Sequence, residues 1–171
     1  MRQLNKKEIK KFLKKPIKRD VEICLVLENL QYAVNVASLF RTADAAAVRR
    51  VYLTGISHQP PFGKDLQKTS RHKEDSVEWV YKQSTTELIE ELKKNGFKII
   101  AIELTDTAKH LFELPEILEG VEKICFVAGS EVYGVNKKTL EKCDESVYIP
   151  MYGKGASLNV SQATAIVLFS F

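Results

Sequence analysis

"IPMYGKGASLNVSQATAIVLFSF", residues 149–171, closes the chain, and its first half is more polar than the start of a helix requires. A short apolar run stops at Pro150, and Gly153 and Gly155 permit a tight backbone excursion. Ser157, Asn159, Ser161 and Gln162 then crowd ahead of an apolar helix. Asn159 with Gln162 can cap that helix, whose core face would comprise Val160, Ala163, Ile166 and Val167. Capping explains one such side chain. Ser157, Asn159 and Ser161 together, beside two glycines, need a further reason, and the reading of the fold turns on what it is.

Upstream, short apolar runs alternate with amphipathic helices. Strands are predicted at 21–27, 51–55, 77–80, 97–103, 124–128 and 146–149, and helices at about 33–48 and about 136–143. A further helix is written into "STTELIEELKKNG", with Ser84 and Glu87 as a capping box and Gly96 just past its end. This alternation defines an α/β fold with a mostly parallel sheet covered by helices on both faces. With 171 residues, 44% of them hydrophobic, one domain with a substantial core is expected. The longest apolar runs, Val21 to Leu27 and Ala163 to Phe169, are far short of the ~18 residues of a membrane span. Met1-Arg2-Gln3 leads into charge, unlike a signal peptide, so a cytoplasmic location is expected. Cys24, Cys125 and Cys143 have no metal-ligand spacing and read as reduced core thiols.

The net charge is +4 and unevenly spread. Residues 2–19, "RQLNKKEIKKFLKKPIKR", carry nine Lys or Arg against one Glu, the footprint of a polyanionic partner, although a solvated helical face has the same composition. Asn5 and Glu8 fit a capping box, Ile9, Phe12 and Leu13 form a narrow apolar face for packing, and Pro16 ends this helix. Residues 1–20 are therefore read as a basic extension before a single domain at 21–171. A second basic stretch, "SHQPPFGKDLQKTSRHKED" at 57–75, reads as a long loop leaving the end of a strand, where α/β proteins handle ligands. His58 and His72 have no pattern of metal ligands and read as facing solvent or RNA; no metal is expected.

Two inner stretches complete the set of candidates. In "LENLQYAVNVASLFRTADAAAV", Asn35 reads as an N-cap or a site residue, and Arg41 as an (i, i+3) partner of Asp44 or a site residue. Arg41 lies six positions after Asn35, about 120° around an ideal helix. In "FVAGSEVYGV", Gly129 and Gly134 allow close approach of backbone to a ligand at a strand's carboxyl end, and Glu131 places one acid in the turn. Neither a G-x-G-x-x-G fingerprint nor a phosphate-binding G-K-[S/T] loop is present, and metal carboxylates are wanting, which argues against a nucleotide hydrolase.

The segments "NVASLFRTAD", "AGSEVYGV" and "IPMYGKGASLNVSQA", in that order, resemble the three signature motifs of the SpoU/TrmH family of RNA ribose 2'-O-methyltransferases, in the SPOUT superfamily. "KTSRHKEDSVEW" resembles that family's link between the first two motifs, and the likeness runs from about residue 21 to the end. The resemblance implies a C-terminal deep trefoil knot, with knot and cofactor site within about 125–171, a departure from the usual avoidance of knots. It implies S-adenosyl-L-methionine bent in the knot and held mainly through backbone at Gly129, Ile149 and Leu158, with Met151 nearby. It implies catalytic roles for Arg41 at the 2'-hydroxyl, for Asn35, Ser157 and Asn159 in positioning, and for Glu131 in orienting Arg41 or the cofactor. Thr42 and Ala43 also match, whereas Ala33-Val34 stand where the family often has Pro-Gly or Pro-His. A homodimer is implied, acting on RNA, with tRNA, at a guanosine such as that of the D-loop, favoured over ribosomal RNA because no separate RNA-binding domain is expected. A catalytically silent knotted RNA binder is the other implied possibility.

Overall fold

The computed structural model describes residues 1–13 and 19–171. Pro16 as a helix stop falls outside the described residues. Among the described residues seven strands form one wholly parallel sheet in the order β3-β2-β1-β6-β4-β7-β5. They are β1 (Glu22–Glu28), β2 (Arg50–Thr54), β3 (Trp79–Lys82), β4 (Lys98–Ile102), β5 (Lys109–His110), β6 (Lys123–Ala128) and β7 (Glu145–Tyr148).

The chain first runs outward, β1 to β2 to β3, then crosses to the other half of the sheet for β4 and returns to insert β6 between β1 and β4. The loops after β1, β4, β6 and β7 thus leave from the same carboxyl edge, where the strand order reverses and α/β sheets open a crevice. Central β6 is buried along its length from Ile124 to Ala128, as a strand covered on both faces must be.

Period-two alternation sorts the strand side chains into two cores. One face carries Leu25, Leu27, Val51, Leu53 and Phe126 against α2 (Ala33–Ala45), through Val36, Leu39, Phe40 and Ala43, and against α7 (Val160–Leu168), through Val167 and Leu168. The other carries Cys24, Val26, Ile99, Ala101, Cys125 and Val127 against Leu88, Ile89 and Leu92 of α4 (Thr85–Lys94). The amide of Glu87 donates to the Ser84 hydroxyl at 3.3 Å, and Gly96, at φ +82°, lets the chain leave α4.

Four expectations are corrected. The 57–75 stretch is not a bare loop: it contains α3 (Lys64–Ser70) and a 3-10 turn (Lys73–Asp75), both against α2, with Lys73 bonded to Asp44 at 2.9 Å. Helix α1 (Lys6–Phe12) has the reciprocal Asn5–Glu8 box, but Ile9, Phe12 and Leu13 stay exposed, so its apolar face is not packed. On α7 the buried residues are Thr164, Val167 and Leu168, while Ile166 and Phe169 are exposed. The helix beginning at Asn136 is one turn, α6 (Lys137–Leu140). A four-residue turn, α5 (Leu114–Ile117), precedes β6. Among the described residues no helix is long and apolar enough to cross a membrane.

Candidate active site

Three chain segments meet at the carboxyl edge of the sheet: the loop from β1 into α2, the turn after β6, and the start of α7. Helix α2 begins after Tyr32 without a side-chain cap of its own. The Glu131 carboxylate, about a hundred residues away in sequence, supplies what is missing. It accepts the amide N–H of Gln31 at 2.9 Å and that of Tyr32 at 3.3 Å. A carboxylate at a helix N-terminus satisfies unpaired donors and complements the dipole. Asn35, buried one turn inside α2, is therefore not the cap.

The same carboxylate fixes the amides around it. Glu131 can only accept, so Asn35 turns its Nδ2 toward Glu131 at 2.7 Å. The Oδ1 of Asn35 is then left to accept from Nδ2 of Asn159 at 3.1 Å. The Oδ1 of Asn159 in turn caps α7 by accepting the amide of Ser161 at 2.9 Å and its hydroxyl at 2.6 Å. A single directional chain of hydrogen bonds thus ties all three segments together. Burial works to raise the Glu131 carboxyl, but the bonds from Asn35, Gln31 and Tyr32 outweigh it and hold it below the usual carboxylate range.

Two adjoining cavities open beside this chain. The first, about 530 Å³, is lined by Tyr32, Asn35, Gly129, Glu131, Ser157 and Asn159, among others. The second, about 450 Å³, is walled by Leu104, Val147, Ile149, Met151, Ala156 and the backbone of Gly153 and Gly155. Ile102, Glu103, Ser157, Leu158 and Ala163 border both. Among the described residues no Lys, Arg or His lines either, while two acids do. Such a lining favours a neutral or positively charged ligand with an apolar end.

The glycines divide by cause. A Cβ on Gly129 would sit inside the backbone of Gly134 and Val135, because Ser130 and Gly134 pair across a tight turn. Gly134, at φ +65°, carries the turn and leaves room for the Glu103 side chain. The fold itself thus requires these two, whereas a Cβ on Gly153 would meet nothing and one on Gly155 only the edge of Met151. Any need for glycine at 153 and 155 lies outside the chain's own packing.

Of the residues singled out in the sequence, Asn35, Gly129, Glu131, Ser157, Leu158 and Asn159 share the first cavity, and Ile149, Met151, Ser157 and Leu158 the second. Arg41 lines neither; it is exposed on α2, and Asp44 pairs with Lys73 instead of with it. His58 stacks on Phe62, and His72 lies beside Glu74 and Asp75, away from both cavities. Two residues of the site were not anticipated. Ser57, the first residue of the supposed loop, is buried; it donates to Leu27 O at 2.8 Å and accepts Leu30 N–H at 2.9 Å, fixing the approach to α2. Glu103 had read only as the end of a strand.

The sheet order, the cavity pair and the three converging segments place this chain among the α/β proteins that bind a ligand at a reversal of strand order. Residues 22–169 match the family model described as the SpoU rRNA Methylase family, and the chain belongs to that family. It is 30% identical over 155 residues to the tRNA (guanosine(18)-2'-O)-methyltransferase of Thermus thermophilus, covering 89% of this chain and 75% of that one. It is 30% identical over 145 residues to the Bacillus subtilis 23S rRNA (guanosine(2553)-2'-O)-methyltransferase RlmP, covering 85% of this chain but 56% of that protein. The crystal structure of the A. aeolicus TrmH/SpoU tRNA modifying enzyme superposes with a TM-score of 0.76 at 27% identity, over 90% of this chain and 75% of that one.

Proposed function

We propose that this protein transfers a methyl group from S-adenosyl-L-methionine to a ribose 2'-hydroxyl of RNA. The observation that carries the reading is the Glu131–Asn35–Asn159 chain, which joins the three family motifs at the mouth of a cavity pair that no cationic side chain lines among the described residues. That lining fits a ligand with an apolar base at one end and positive charge at the other. The backbone of Gly129, Ile149 and Leu158, with Met151, would hold it, and when bound it supplies a methyl group on positively charged sulfur. The deep C-terminal knot belongs to this reading, since the segment after β7 returns past β4 to seat α7 on α2.

The chain's own residues have two tasks: to bring the hydroxyl in line with the methyl group and to ease loss of its proton as the new C–O bond forms and the S–C bond breaks. Glu131 is unsuited as the base, because its oxygens are engaged by N–H donors and its proton affinity is lowered. It is a positioning residue. Ser157 and Asn159, exposed at the rim, orient the ribose. Arg41, a permanent cation, stabilises the developing alkoxide electrostatically while the proton leaves to water or to a phosphate of the RNA.

The position of Arg41 supports a homodimer. Six residues along α2 from Asn35 amount to about 9 Å along the axis, with a large angular offset, which leaves Arg41 outside the cavities of its own subunit. In this reading a second copy packs against the exposed Ile166 and Phe169 of α7, and each site draws Arg41 from across the interface.

The RNA is read as tRNA, at a guanosine such as that of the D-loop, and the protein as acting in the cytoplasm. The basic extension supplies phosphate contacts and the exposed Tyr32, Tyr133 and Tyr152 offer stacking surfaces. The equal identity to the ribosomal RNA enzyme makes ribosomal RNA the second reading. Incubation with labelled S-adenosylmethionine and unmodified tRNA or ribosomal RNA tests both. Label in tRNA supports the first reading, label only in ribosomal RNA the second, and label in neither a silent RNA binder.

A further inference from the structure

The boundary between the two cavities is an acid that the catalytic account does not use. Glu103 follows β4 directly, and its own amide is held by Val147 O at 3.1 Å. Its Oε2 accepts the amide of Val135 at 2.9 Å and its Oε1 that of Leu104 at 3.1 Å. An ionised carboxylate offers about four acceptor positions, so roughly two remain open. Among the described residues no Lys, Arg or His forms an ion pair with it. Gly134 leaves this carboxylate its space, since a Cβ there would overlap Oε2. The acid is thus fixed on one side by backbone amides, has spare acceptor capacity, and borders both cavities.

We propose that Glu103 binds the ribose of S-adenosylmethionine, accepting hydrogen bonds from its 2'- and 3'-hydroxyls; the assignment rests on the methyl-transfer reading. In that molecule the ribose lies between the adenine and the sulfonium. In this protein Glu103 lies between the apolar cavity, which suits the adenine, and the cavity of the Glu131–Asn35–Asn159 chain, where the methyl group must arrive. A vicinal diol presents two donors side by side, which a carboxylate with two open positions accepts. The same chemistry selects a ribose in dinucleotide-binding folds. Glu103 would therefore set where the sulfonium sits relative to Asn159 while taking no part in bond making.

Calorimetric titration of the whole chain tests this with S-adenosylmethionine, 5'-methylthioadenosine and the 2',3'-dideoxy analogue of the latter. Glu103→Ala is expected to weaken the first two about tenfold or more, as loss of hydrogen bonds to a charged group does, and the dideoxy analogue less than about twofold. Glu103→Gln keeps the shape and one acceptor oxygen and is expected to lose an intermediate amount; it carries the same comparison should the alanine variant fail to fold. Equal weakening of diol and dideoxy ligands would overturn the assignment, since a merely structural role disturbs both alike. Weakening of S-adenosylmethionine alone would also overturn it, pointing to the amino-acid end. If the wild type binds S-adenosylmethionine and neither variant differs, the assignment alone falls; if the wild type does not bind it, the methyl-transfer reading falls as well.

Discussion

The side-chain amide of Asn35 donates to the Glu131 carboxylate at 2.7 Å, and this bond sets the direction of the side-chain amide bonds that run on to Asn159. A carboxylate cannot donate, so the orientation passes from Glu131 through Asn35 to Asn159 and on to the cap of α7. Glu131→Gln introduces donors where only acceptors fit. This variant is expected to lose turnover by about a hundredfold or more, while its S-adenosylmethionine affinity changes less than about threefold, because the amides that position the ribose turn around and the cofactor walls remain. Single-turnover kinetics alongside calorimetry separate the two effects.

The same carboxylate gives a pH signature in stability. Its proton affinity is lowered in the folded chain, so it stabilises the fold fully above the unfolded carboxyl value of about 4.3, and that contribution disappears as pH falls through the lower folded value. The difference in stability between wild type and Glu131→Gln is expected to be constant from about pH 6 upward and to shrink in acid. Denaturant melts across the range measure it; a gap that widened in acid would refute the lowered affinity.

Arg41 lies outside the cavities that hold Asn35 and Asn159, and complementation follows from this. Arg41→Ala and Asn159→Ala are each expected to be inactive alone. When they are mixed and allowed to exchange subunits, half the dimers are mixed and each contains one intact site, so about a quarter of wild-type activity should return. A site built within one chain would recover nothing.

The two kinds of glycine make opposite predictions. Gly129→Ala forces a methyl group into the Gly134–Val135 backbone and is expected to destabilise the protein by several kcal/mol or prevent folding. Gly153→Ala meets nothing in the chain and is expected to leave the melting temperature unchanged; weakened S-adenosylmethionine binding there would show that the ligand needs the space.

The thiols should be inert in the native state. Burial pushes Cys24 up to about 11, Cys143 up to about 12 and Cys125 well above its ordinary value. At pH 8 an alkylating reagent is expected to label none of them until denaturant is added, as read by intact mass.

Much of this was legible in the sequence, for local reasons. The six predicted strands lie within two residues of the observed ones; β1, β2, β4 and β6 are largely apolar runs buried on both faces, whereas β3 and β7 carry weaker runs and are only partly buried. The two-residue β5 carries no such run and went unseen. The insertion of β6 between β1 and β4 is long-range and leaves no periodic trace. Within the site, Asn159 is a cap by position, whereas the capping of α2 by Glu131 joins residues a hundred apart and no local signal marks it. Ser57 and Glu103 were missed because one opens a loop and the other ends a strand; only the fold turns their side chains to use. The apolar residues of α1 and Ile166 of α7 fit a helical stripe but are not covered by the chain itself, since periodicity says which face is apolar and not what packs on it.

The central claim is the site of methylation, and a ribose 2'-O-methyl group can be read directly because it removes the hydroxyl that alkali needs to cleave the adjoining phosphodiester. RNA labelled by this protein with methyl-labelled S-adenosylmethionine, then hydrolysed in alkali, is expected to keep its label in an alkali-resistant dinucleotide whose nucleoside is 2'-O-methylated. Label released entirely in mononucleotides carrying a methylated base would contradict the account.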